Sequence, residues 1–369
     1  MTKRIIQLVV LFIFILFSCI RSNISNKQAD TGFEMIEIDD IHATKEILLS
    51  DFVKEIKFTP LETSPNSFII EISELIESGE HLFILDRSNN CVLKFSKDGK
   101  FISKIGEKGK GPGEYTQLVD IDVYEDEVYL LDFSTQKILV YDSEELSFIT
   151  DFRCPDGSIE MKGFQDKFIF YCTSFSSGSY PSLYLTDKDG SNHQKLIDSE
   201  YAQASIKIGG SSIFCGEGLI SRSNESNLYA LSNDSLYTKY KINFGRREMP
   251  KMRLTEDYNI FDKDFNYCYR YKTYNCNNVL LFDFFETGEP IKRLYCVYEK
   301  ETKKNMWGAV KNNFGYENLP FYPTFSTSES LIGVLSPEIF NSSENPVVIP
   351  QLNPPQITDN PILVFFNLK

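Results

Sequence analysis

Apolar residues in this chain come in short runs of four to six, rich in Val, Ile, Phe and Tyr and separated by turn residues. Runs of this length and composition predict β-strands, because they are too short to make stable helices. Residues 81–105 and residues 127–150 repeat the same order of strands and turns. Weaker copies complete six strand clusters, at residues 167–186, 218–231, 278–298 and 330–366.

Many of the predicted strands are apolar at consecutive positions, as at residues 128–131, 168–171 and 279–282. A sheet with one face in water should alternate, so these strands need cover on both faces. Radially stacked blades provide it. A parallel α/β fold would also provide it, but turns stand where its helices are needed, and the best helix candidate is short, at residues 301–312. The pattern therefore predicts an all-β fold, a six-bladed β-propeller of four-stranded antiparallel blades.

A propeller must close its ring, commonly by pairing strands from the two ends of the chain. Residues 33–38 form an isolated strand ahead of the first cluster, and residues 362–366 form a strand at the extreme C-terminus. We expect these two segments to lie in one blade. The propeller domain would then span residues 33–369.

The first 18 residues have the layout of a secretory signal. Lys3 and Arg4 form a basic start, and residues 5–17 are almost entirely apolar. This run is too short to span a bilayer as a helix, which needs about 20 residues. Ser18 supplies the small residue that follows.

Residues 16–19, Leu-Phe-Ser-Cys, resemble a bacterial lipobox, in which Cys19 would be diacylated on sulfur and become the new N-terminus. The alternatives are a plain signal peptide or a short uncleaved anchor. Two or three acyl chains anchor a protein stably. Residues 19–32 would then be a lipidated, flexible tether, since they are polar and rich in Ser and Asn.

Composition narrows the possible partners. The chain has 369 residues, 38 Lys and Arg against 52 Asp and Glu, and a formal net charge of −14. Loss of residues 1–18, with two positive and no negative charges, gives −16. This balance argues against a nucleic-acid partner, which needs a surplus of cations. The 14% aromatic content suits the wedge-shaped gaps between blades.

Residues 95–115 resemble the signature of the six-bladed β-propeller lipoproteins of Bacteroidetes, which are similar in style to NHL-repeat propellers. Residues 56–63 resemble the segment before the family's first blade, and residues 359–364 resemble its closing strand. The resemblance implies a propeller on a lipid anchor. It implies no activity, because the family has no common one.

Other candidate motifs have structural explanations. Residues 106–113 contain four glycines but no helix to point at a phosphate, so they predict a connection between blades one and two. Residues 187–192 lack the order of a calcium loop and predict a hairpin turn. The three histidines, His42, His81 and His193, share no spacing for a metal site. No metal ligand is assigned.

Seven cysteines follow Cys19. An exported protein meets an oxidising compartment, so disulfides are possible. Cys268 and Cys276 flank a short polar and aromatic segment and are the best candidates for a bridge. Four others lie in apolar strands, where Cys behaves as a small buried hydrophobe, namely Cys91, Cys172, Cys215 and Cys296.

Two irregular segments break the strand rhythm, at residues 246–253 and 306–325, and long loops on a rigid scaffold commonly carry binding. They suggest a binding rim formed by Trp307, Tyr316, Tyr322, Arg246 and Arg247. The aromatic rings would stack on sugars or anchor a protein. The alternative is that these rings pack the gap between blades five and six.

The favoured function is a non-catalytic binding or scaffolding module for an envelope protein or a glycan, held to the membrane by its lipid. No cofactor is expected apart from the covalent lipid on Cys19. The alternative is a lactonase-like or lyase-like enzyme with a metal in the central channel, and a role beside a nutrient importer has only the family's habitat in its favour. The expected location is the outer membrane. Residues 20–23 lack an acidic export cluster, which favours the periplasmic face over the cell surface.

Overall fold

The structure of the chain is a computed structural model. It describes residues 32–39, 43–173, 182–197, 213–216, 218–221, 225–248, 267–288, 290–316 and 318–369. Cys19 and residues 1–31, which contain the predicted signal and nearly all of the tether, lie outside the described residues. Within the described ranges, no helix is long and apolar enough to cross a bilayer.

Six sheets with four main strands each, mostly antiparallel, form a six-bladed β-propeller. The N-terminal part of the chain contains three strands, which belong to the last three blades, and a short helix. These elements are β1 (Glu34–Glu37), β2 (Ala43–Leu48), α1 (Leu49–Phe52) and β3 (Val53–Pro60). Blade 1 follows with β4 (Glu74–Ser78), β5 (His81–Asp86), β6 (Cys91–Ser96) and β7 (Phe101–Ile105). A small parallel pair, β8 (Glu107–Lys108) and β9 (Glu114–Tyr115), then leads into blade 2.

Blade 2 contains β10 (Leu118–Tyr124), β11 (Glu127–Asp132), β12 (Lys137–Asp142) and β13 (Phe148–Arg153). Blade 3 contains β14 (Ser158–Phe164), β15 (Lys167–Cys172), β16 (Ser182–Asp187) and β17 (Gln194–Ile197). Blade 4 contains β18 (Leu219–Ser221), β19 (Asn227–Ser232) and β20 (Ser235–Asn243), followed by a 3₁₀ turn at Gly245–Arg247. Phe214 forms an isolated bridge with Ile220 on the open side of β18.

Blade 5 contains β21 (Cys268–Asn275), β22 (Val279–Glu286), β23 (Lys292–Glu299) and β24 (Lys304–Lys311). Blade 6 contains β25 (Pro323–Ser326), β26 (Ser330–Leu335) and β27 (Ile362–Leu368), with a 3₁₀ helix at Pro337–Phe340 in the long loop before β27. The six sequence clusters therefore correspond to the six blades, and the predicted fold class is confirmed.

The ring is closed in blade 6, where the C-terminal strand β27 pairs antiparallel with the N-terminal β3. Closure by the two ends of the chain is confirmed, but the predicted partner is wrong. Residues 33–38 do not lie beside the C-terminal strand. They contain β1, which runs parallel to β20 at the outer edge of blade 4, while β2 does the same beside β24 in blade 5. The N-terminal segment thus borders three blades before it closes the ring.

The segment proposed as a helix, residues 301–312, contains strand β24 instead. Lys303 has a positive φ of 58° in the turn that returns the chain from β23. β24 then pairs with β23 on one side and with β2 on the other. Hydrogen bonding to two neighbouring strands thus overrides the weak local preference for a helix.

Successive side chains of one strand enter different inter-blade cores, which explains the continuous apolar runs. In β5, Leu82 and Ile84 pack in the cluster shared with blade 6, whereas Phe83 and Leu85 pack in the cluster shared with blade 2. Burial of each such side chain stabilises the fold by about 1.5–3 kcal/mol. The strands are therefore apolar on both faces because both faces are covered.

The antiparallel order of each blade divides the connections between two faces of the disc. Hairpin turns from the first to the second strand and from the third to the fourth lie on one face, here called the turn face. The opposite face, here called the loop face, carries the connections from the second to the third strand and from each blade to the next. Each inner strand therefore begins at the loop face.

The structure confirms the hairpin turn predicted at residues 187–192 and the connection between blades predicted at residues 106–113. Residues 187–192 form the turn between β16 and β17, where the Gly190 N–H donates to the Asp187 carbonyl at 2.9 Å. Residues 106–113 connect blades 1 and 2 and contain β8. A close approach that demands glycine occurs at Gly99, whose φ is +85° and whose added Cβ would lie 2.1 Å from the Pro60 oxygen. The blade 1 turn is thereby held against the end of β3.

Candidate functional site

The first strands of the blades surround the central channel, since β10 contacts β4 and β14, and β21 contacts β25. Their charges are unevenly distributed. β4, β10 and β14 carry five carboxylates and one lysine, namely Glu74, Glu77, Asp120, Asp122, Glu160 and Lys162. β21 carries Arg270 and Lys272 and no acid. The channel is therefore acidic along blades 1 to 3 and basic along blade 5.

Most of these charged groups link one inner strand to the next. The Met161 N–H donates to Asp120 Oδ2 at 2.7 Å, and the Ile213 N–H donates to Glu160 Oε2 at 2.8 Å. Asp122 accepts from the Gly163 N–H at 2.7 Å and pairs with Lys162. Inner strands of neighbouring blades belong to different sheets and share no backbone ladder. These charge-assisted bonds therefore connect one blade to the next along the channel wall.

Glu74 differs from its neighbours because its carboxylate makes no hydrogen bond or ion pair with the described residues. Burial raises the pKa of Glu74, while the positive charges of Lys272, Lys162 and Arg87 act to lower it and Asp122 acts to raise it. Burial also raises the pKa of Asp120 well above its usual range, with further contributions from the charges of Glu74 and Glu160. The two carboxyl groups are thus neighbours in a site where negative charge is costly.

The basic side of the channel belongs to blade 5. Lys272 donates from Nζ to the Thr324 carbonyl oxygen of blade 6. Burial lowers the pKa of Lys272, and the charges of Glu74, Asp283 and Glu160 oppose this effect. Arg270 is buried and donates to the Glu225 carbonyl at 2.8 Å, so it ties blade 5 to blade 4. Burial lowers its pKa to about 10.

An arginine among aromatic rings lies on the loop-face side of the same blade. Arg293 Nε donates to the buried Asp283 Oδ2 at 2.7 Å, and Nη2 pairs with the same carboxylate. The guanidinium carbon lies 5.1 Å from the ring centroid of Tyr322, which is 57% exposed. Tyr271, Phe285 and Tyr295 surround the same group at 5.5–5.9 Å. Arg293 and Tyr322 therefore form a fixed cationic and aromatic surface.

Exposed apolar side chains concentrate on the loop face. Six of the twelve large exposed hydrophobic residues in the described ranges lie in its connections, namely Phe68, Ile70, Ile291, Tyr322, Val348 and Ile357. The other six lie on or beside outer strands, namely Phe33, Met35, Leu48, Ile102, Phe148 and Ile149. Among the described residues, the turn-face hairpins have none. The two faces thus differ in the surface that they offer a partner.

Trp307 was predicted at a binding rim, but the structure places it in the core between blades 4 and 5, where it is 6% exposed. Its indole Nε1 donates to the Asp39 carbonyl at 2.8 Å, and its ring centroid lies 5.9 Å from that of Phe284. The Arg247 guanidinium carbon lies 4.9 Å from the indole ring and packs on it. Trp307 therefore packs between two blades, as the alternative interpretation predicted, but these are blades 4 and 5 and not blades 5 and 6.

Tyr316 and Arg246 have different surroundings. Tyr316 is half-buried against blade 6, with its ring centroid 5.0 Å from that of Phe58, and its hydroxyl accepts from Gln351 at 3.0 Å. Arg246 is exposed in the 3₁₀ turn after β20. Of the five predicted residues, Tyr322 alone belongs to the exposed apolar set of the loop face.

The proposed bridge between Cys268 and Cys276 is wrong. Cys268 begins the eight-residue strand β21 and Cys276 follows its last residue. An extended strand of this length holds the two residues about 26 Å apart, at roughly 3.3 Å per residue. A disulfide needs Cα atoms within about 7 Å. Both are free buried thiols, and burial raises the pKa of each to about 12.

A metal in the channel was the premise of the enzyme alternative. Within the part of the chain that the structure describes, no three His, Cys, Asp or Glu side chains are placed to hold a metal ion. The residues that sequence reasoning missed are Glu74, Asp120, Lys272 and Arg293. In the sequence each of them appears only as a charged residue within a strand pattern. The sequence does not show which strands line the channel.

Fold and channel together define a six-bladed β-propeller with a charge-polarised centre. Residues 33–367 match the family described as a domain of unknown function, DUF4934, and the chain belongs to that family. No curated protein sequence is significantly similar to this chain.

The solved structures that share the fold include two from Bacteroides. A protein of Bacteroides fragilis whose name describes it as exported is 17% identical, with a TM-score of 0.70 over 89% of this chain and 99% of its own. A member of the DUF4221 family from Bacteroides vulgatus is 10% identical, with a TM-score of 0.52 over 86% of this chain and 97% of its own. At these identities the likeness extends to the fold alone.

The channel acids make a pH-dependent contribution to stability. Because the pKa values of Glu74 and Asp120 are raised on folding, both residues stabilise the folded state when protonated. This contribution is present below the pKa of the unfolded groups, about 4, and is lost as the pH rises toward the folded values. We expect Glu74→Gln to raise the free energy of unfolding at pH 7 and to flatten its decline above pH 5, as measured by urea titrations.

Glu77→Gln is the matched control on the same strand, since Glu77 pairs with Lys97 at 2.9 Å. It should not raise the free energy of unfolding at pH 7, because it removes one member of an ion pair and relieves no buried charge. A Glu74→Gln variant with wild-type pH dependence would show that this carboxyl group is not desolvated.

Proposed function

We propose that this protein is an exported, lipid-anchored binding module of the cell envelope, which docks a partner protein on its loop face without a catalytic step of its own. The observation that carries this proposal is the placement of exposed apolar side chains. Half of those described lie on the loop connections, and no described turn-face hairpin contains one. Apolar side chains presented on one face are typical of interaction surfaces.

The chemistry of this face favours a protein over a glycan. Its exposed set includes three isoleucines and one valine, namely Ile70, Ile291, Ile357 and Val348. Branched aliphatic side chains are buried well against another protein, whereas sugars prefer the flat faces of aromatic rings. Tyr322 above Arg293 adds the residue types that dominate protein interfaces. Asp283 holds Arg293 in place, so little conformational entropy is lost on binding.

Two observations support export and anchoring. Residues 1–19 have the order of a lipoprotein signal that ends at Cys19. The structurally similar Bacteroides fragilis protein is named as exported. In this proposal the lipid on Cys19 holds the propeller to the outer membrane, on the periplasmic side, and residues 20–32 let the domain turn toward its partner.

The binding surface is tested by comparing loop-face and outer-strand variants in cells. We expect Ile357→Asp combined with Tyr322→Ala to lower the yield of a specific crosslinked complex in envelope membranes by about tenfold or more, as for the loss of interface hot spots. Crosslinking followed by mass spectrometry measures the yield and identifies the partner.

The control variant carries Ile102→Asp and Ile149→Asp, because both residues are exposed apolar positions on outer strands, at 46% and 48%. It should retain the complex. Equal loss in both variants would contradict docking on the loop face. Binding of the purified protein to a glycan array that disappears with Tyr322→Ala would show that the partner is a glycan.

A further inference from the structure

Arg293 has hydrogen-bonding capacity that the protein itself does not use. Its Nε donates to Asp283 Oδ2 at 2.7 Å and its Nη2 pairs with the same oxygen, whereas Nη1 has no acceptor among the described residues. The side chain is 25% exposed, and Nη1 is not one of the buried polar atoms that lack a partner, so it is open to solvent. Arg293 therefore offers unused N–H donors at the loop face.

Arg247 is a useful comparison, because it also pairs with a carboxylate and packs on an aromatic ring, that of Trp307. Its Nη1 donates to Glu286 at 3.3 Å and its Nη2 donates to the Ile38 carbonyl at 3.0 Å. Both terminal nitrogens of Arg247 thus join parts of the fold. Arg293 differs from it in having a terminal nitrogen left over for a partner.

The position of the Arg293 guanidinium is fixed before any partner arrives. Asp283 is fully buried, and its Oδ1 accepts the Lys272 N–H at 2.8 Å, so the carboxylate that holds the arginine is itself anchored to the backbone. The exposed ring of Tyr322 lies 5.1 Å from the guanidinium carbon. An acceptor bound at Nη1 would meet an oriented donor beside an exposed aromatic ring, and little conformational entropy would be lost.

We propose that Nη1 of Arg293 binds an acidic side chain, Asp or Glu, of the protein that docks on the loop face, while apolar residues next to this acid pack on Tyr322 and Ile291. This inference rests on the proposed function and specifies the chemistry of its partner. A carboxylate is the acceptor that gains most from a guanidinium donor, because the hydrogen bond is charge-assisted. Lys292, the residue before Arg293, is 61% exposed and adds positive charge beside it.

A free small anion fits this site less well than an acid displayed on a protein. Asp283 already balances the charge of Arg293, and the chain has a net charge of −14, so the attraction for a lone anion is weak. Affinity must therefore come largely from apolar contacts around the ion pair, for which Ile291 and Tyr322 are 41% and 57% exposed. Such contacts also exclude water from the central hydrogen bond.

The inference is tested by photo-crosslinking in envelope membranes, with full-length protein that carries the substitution Ile291→p-benzoylphenylalanine. We expect the captured peptide of the partner, identified by mass spectrometry, to contain an Asp or Glu next to apolar residues. Replacing that acid by Asn or Gln should lower the crosslinked yield about tenfold or more, the loss expected for one charge-assisted hydrogen bond.

Variants of the propeller test the other side of the contact. Arg293→Lys keeps a positive charge beside Asp283 but removes Nη1, so it should fold and still lower the yield about tenfold. Combined with the acid variant of the partner it should cause no further loss, because both changes remove the same contact. Arg247→Lys is the matched control and should retain the complex, since both terminal nitrogens of Arg247 are used within the protein.

A captured peptide without an acid, or an unchanged yield with either folded Arg293→Lys or the acid variant of the partner, overturns the inference. If Arg293→Lys is unfolded in thermal melts, the acid variant against the wild-type propeller decides alone. Loss of the complex with Ile357→Asp and Tyr322→Ala but not with Arg293→Lys would leave docking on the loop face intact and remove only its acidic anchor. Capture of no protein at all would contradict both proposals.

Discussion

Replacement of Phe366 by Ala is expected to lower the free energy of unfolding by about 3–5 kcal/mol, the usual cost of removing a buried aromatic side chain. Phe366 is 1% exposed on the closing strand β27, where its backbone pairs with Ile56 of β3. Its ring centroid lies 5.1 Å from that of Phe321 in the core between blades 5 and 6. The cavity would therefore weaken ring closure directly, and denaturant titration followed by circular dichroism measures the loss.

Ile357→Ala is a suitable control, because Ile357 lies in the loop before β27 and is 64% exposed. It should change the free energy of unfolding by less than about 0.5 kcal/mol. If Phe366→Ala were as mild as this control, β27 would not be packed into a closed ring. The same result would also contradict the assignment of β3 as the closing partner.

Replacement of Trp307 by Ala is expected to have a similar effect, again about 3–5 kcal/mol. The substitution would remove the indole from the core between blades 4 and 5 and leave the Asp39 carbonyl without its donor. It would also expose the face on which Arg247 packs. Chemical denaturation and the melting temperature of the purified variant measure the cost.

Trp307→Phe keeps an aromatic ring in the cavity and should recover part of the lost stability, whereas Tyr322→Ala removes an exposed ring and should cost little. This series separates packing from recognition. A Trp307→Ala protein as stable as the wild type but unable to crosslink its partner would mean that the indole is a binding group after all.

The sequence was sufficient for the fold because strands that are buried on both faces leave short, continuous apolar runs bounded by turn residues. Four consecutive residues of β5 are apolar because alternate side chains pack against different neighbouring blades. Leu82 and Ile84 pack toward blade 6, whereas Phe83 and Leu85 pack toward blade 2. The closing partner could not be predicted in the same way. Residues 33–38, 43–48 and 53–60 all form N-terminal strands, and nothing local distinguishes an edge strand from the one that completes a blade.

The candidate sites were harder to predict, for two different reasons. Trp307 drew notice as the single tryptophan, but its burial depends on β2 and on Asp39, which come from a distant part of the chain. The channel group went unnoticed because Glu74, Asp120 and Lys272 are separated by long stretches of sequence. Their proximity arises only when the blades close around one axis.

The N-terminal wrapping of blades 4, 5 and 6 also determines how the molecule bears mechanical load. A pull at residue 33 reaches β1 first, then β2, and β3 only after both have come away. The first two strands are held at sheet edges by single parallel partners, β20 and β24, and neither of them pairs with β27, which closes the ring. Force applied at residue 33 would therefore act on β1 and β2 before it reached the pairing of β3 with β27 that closes the ring.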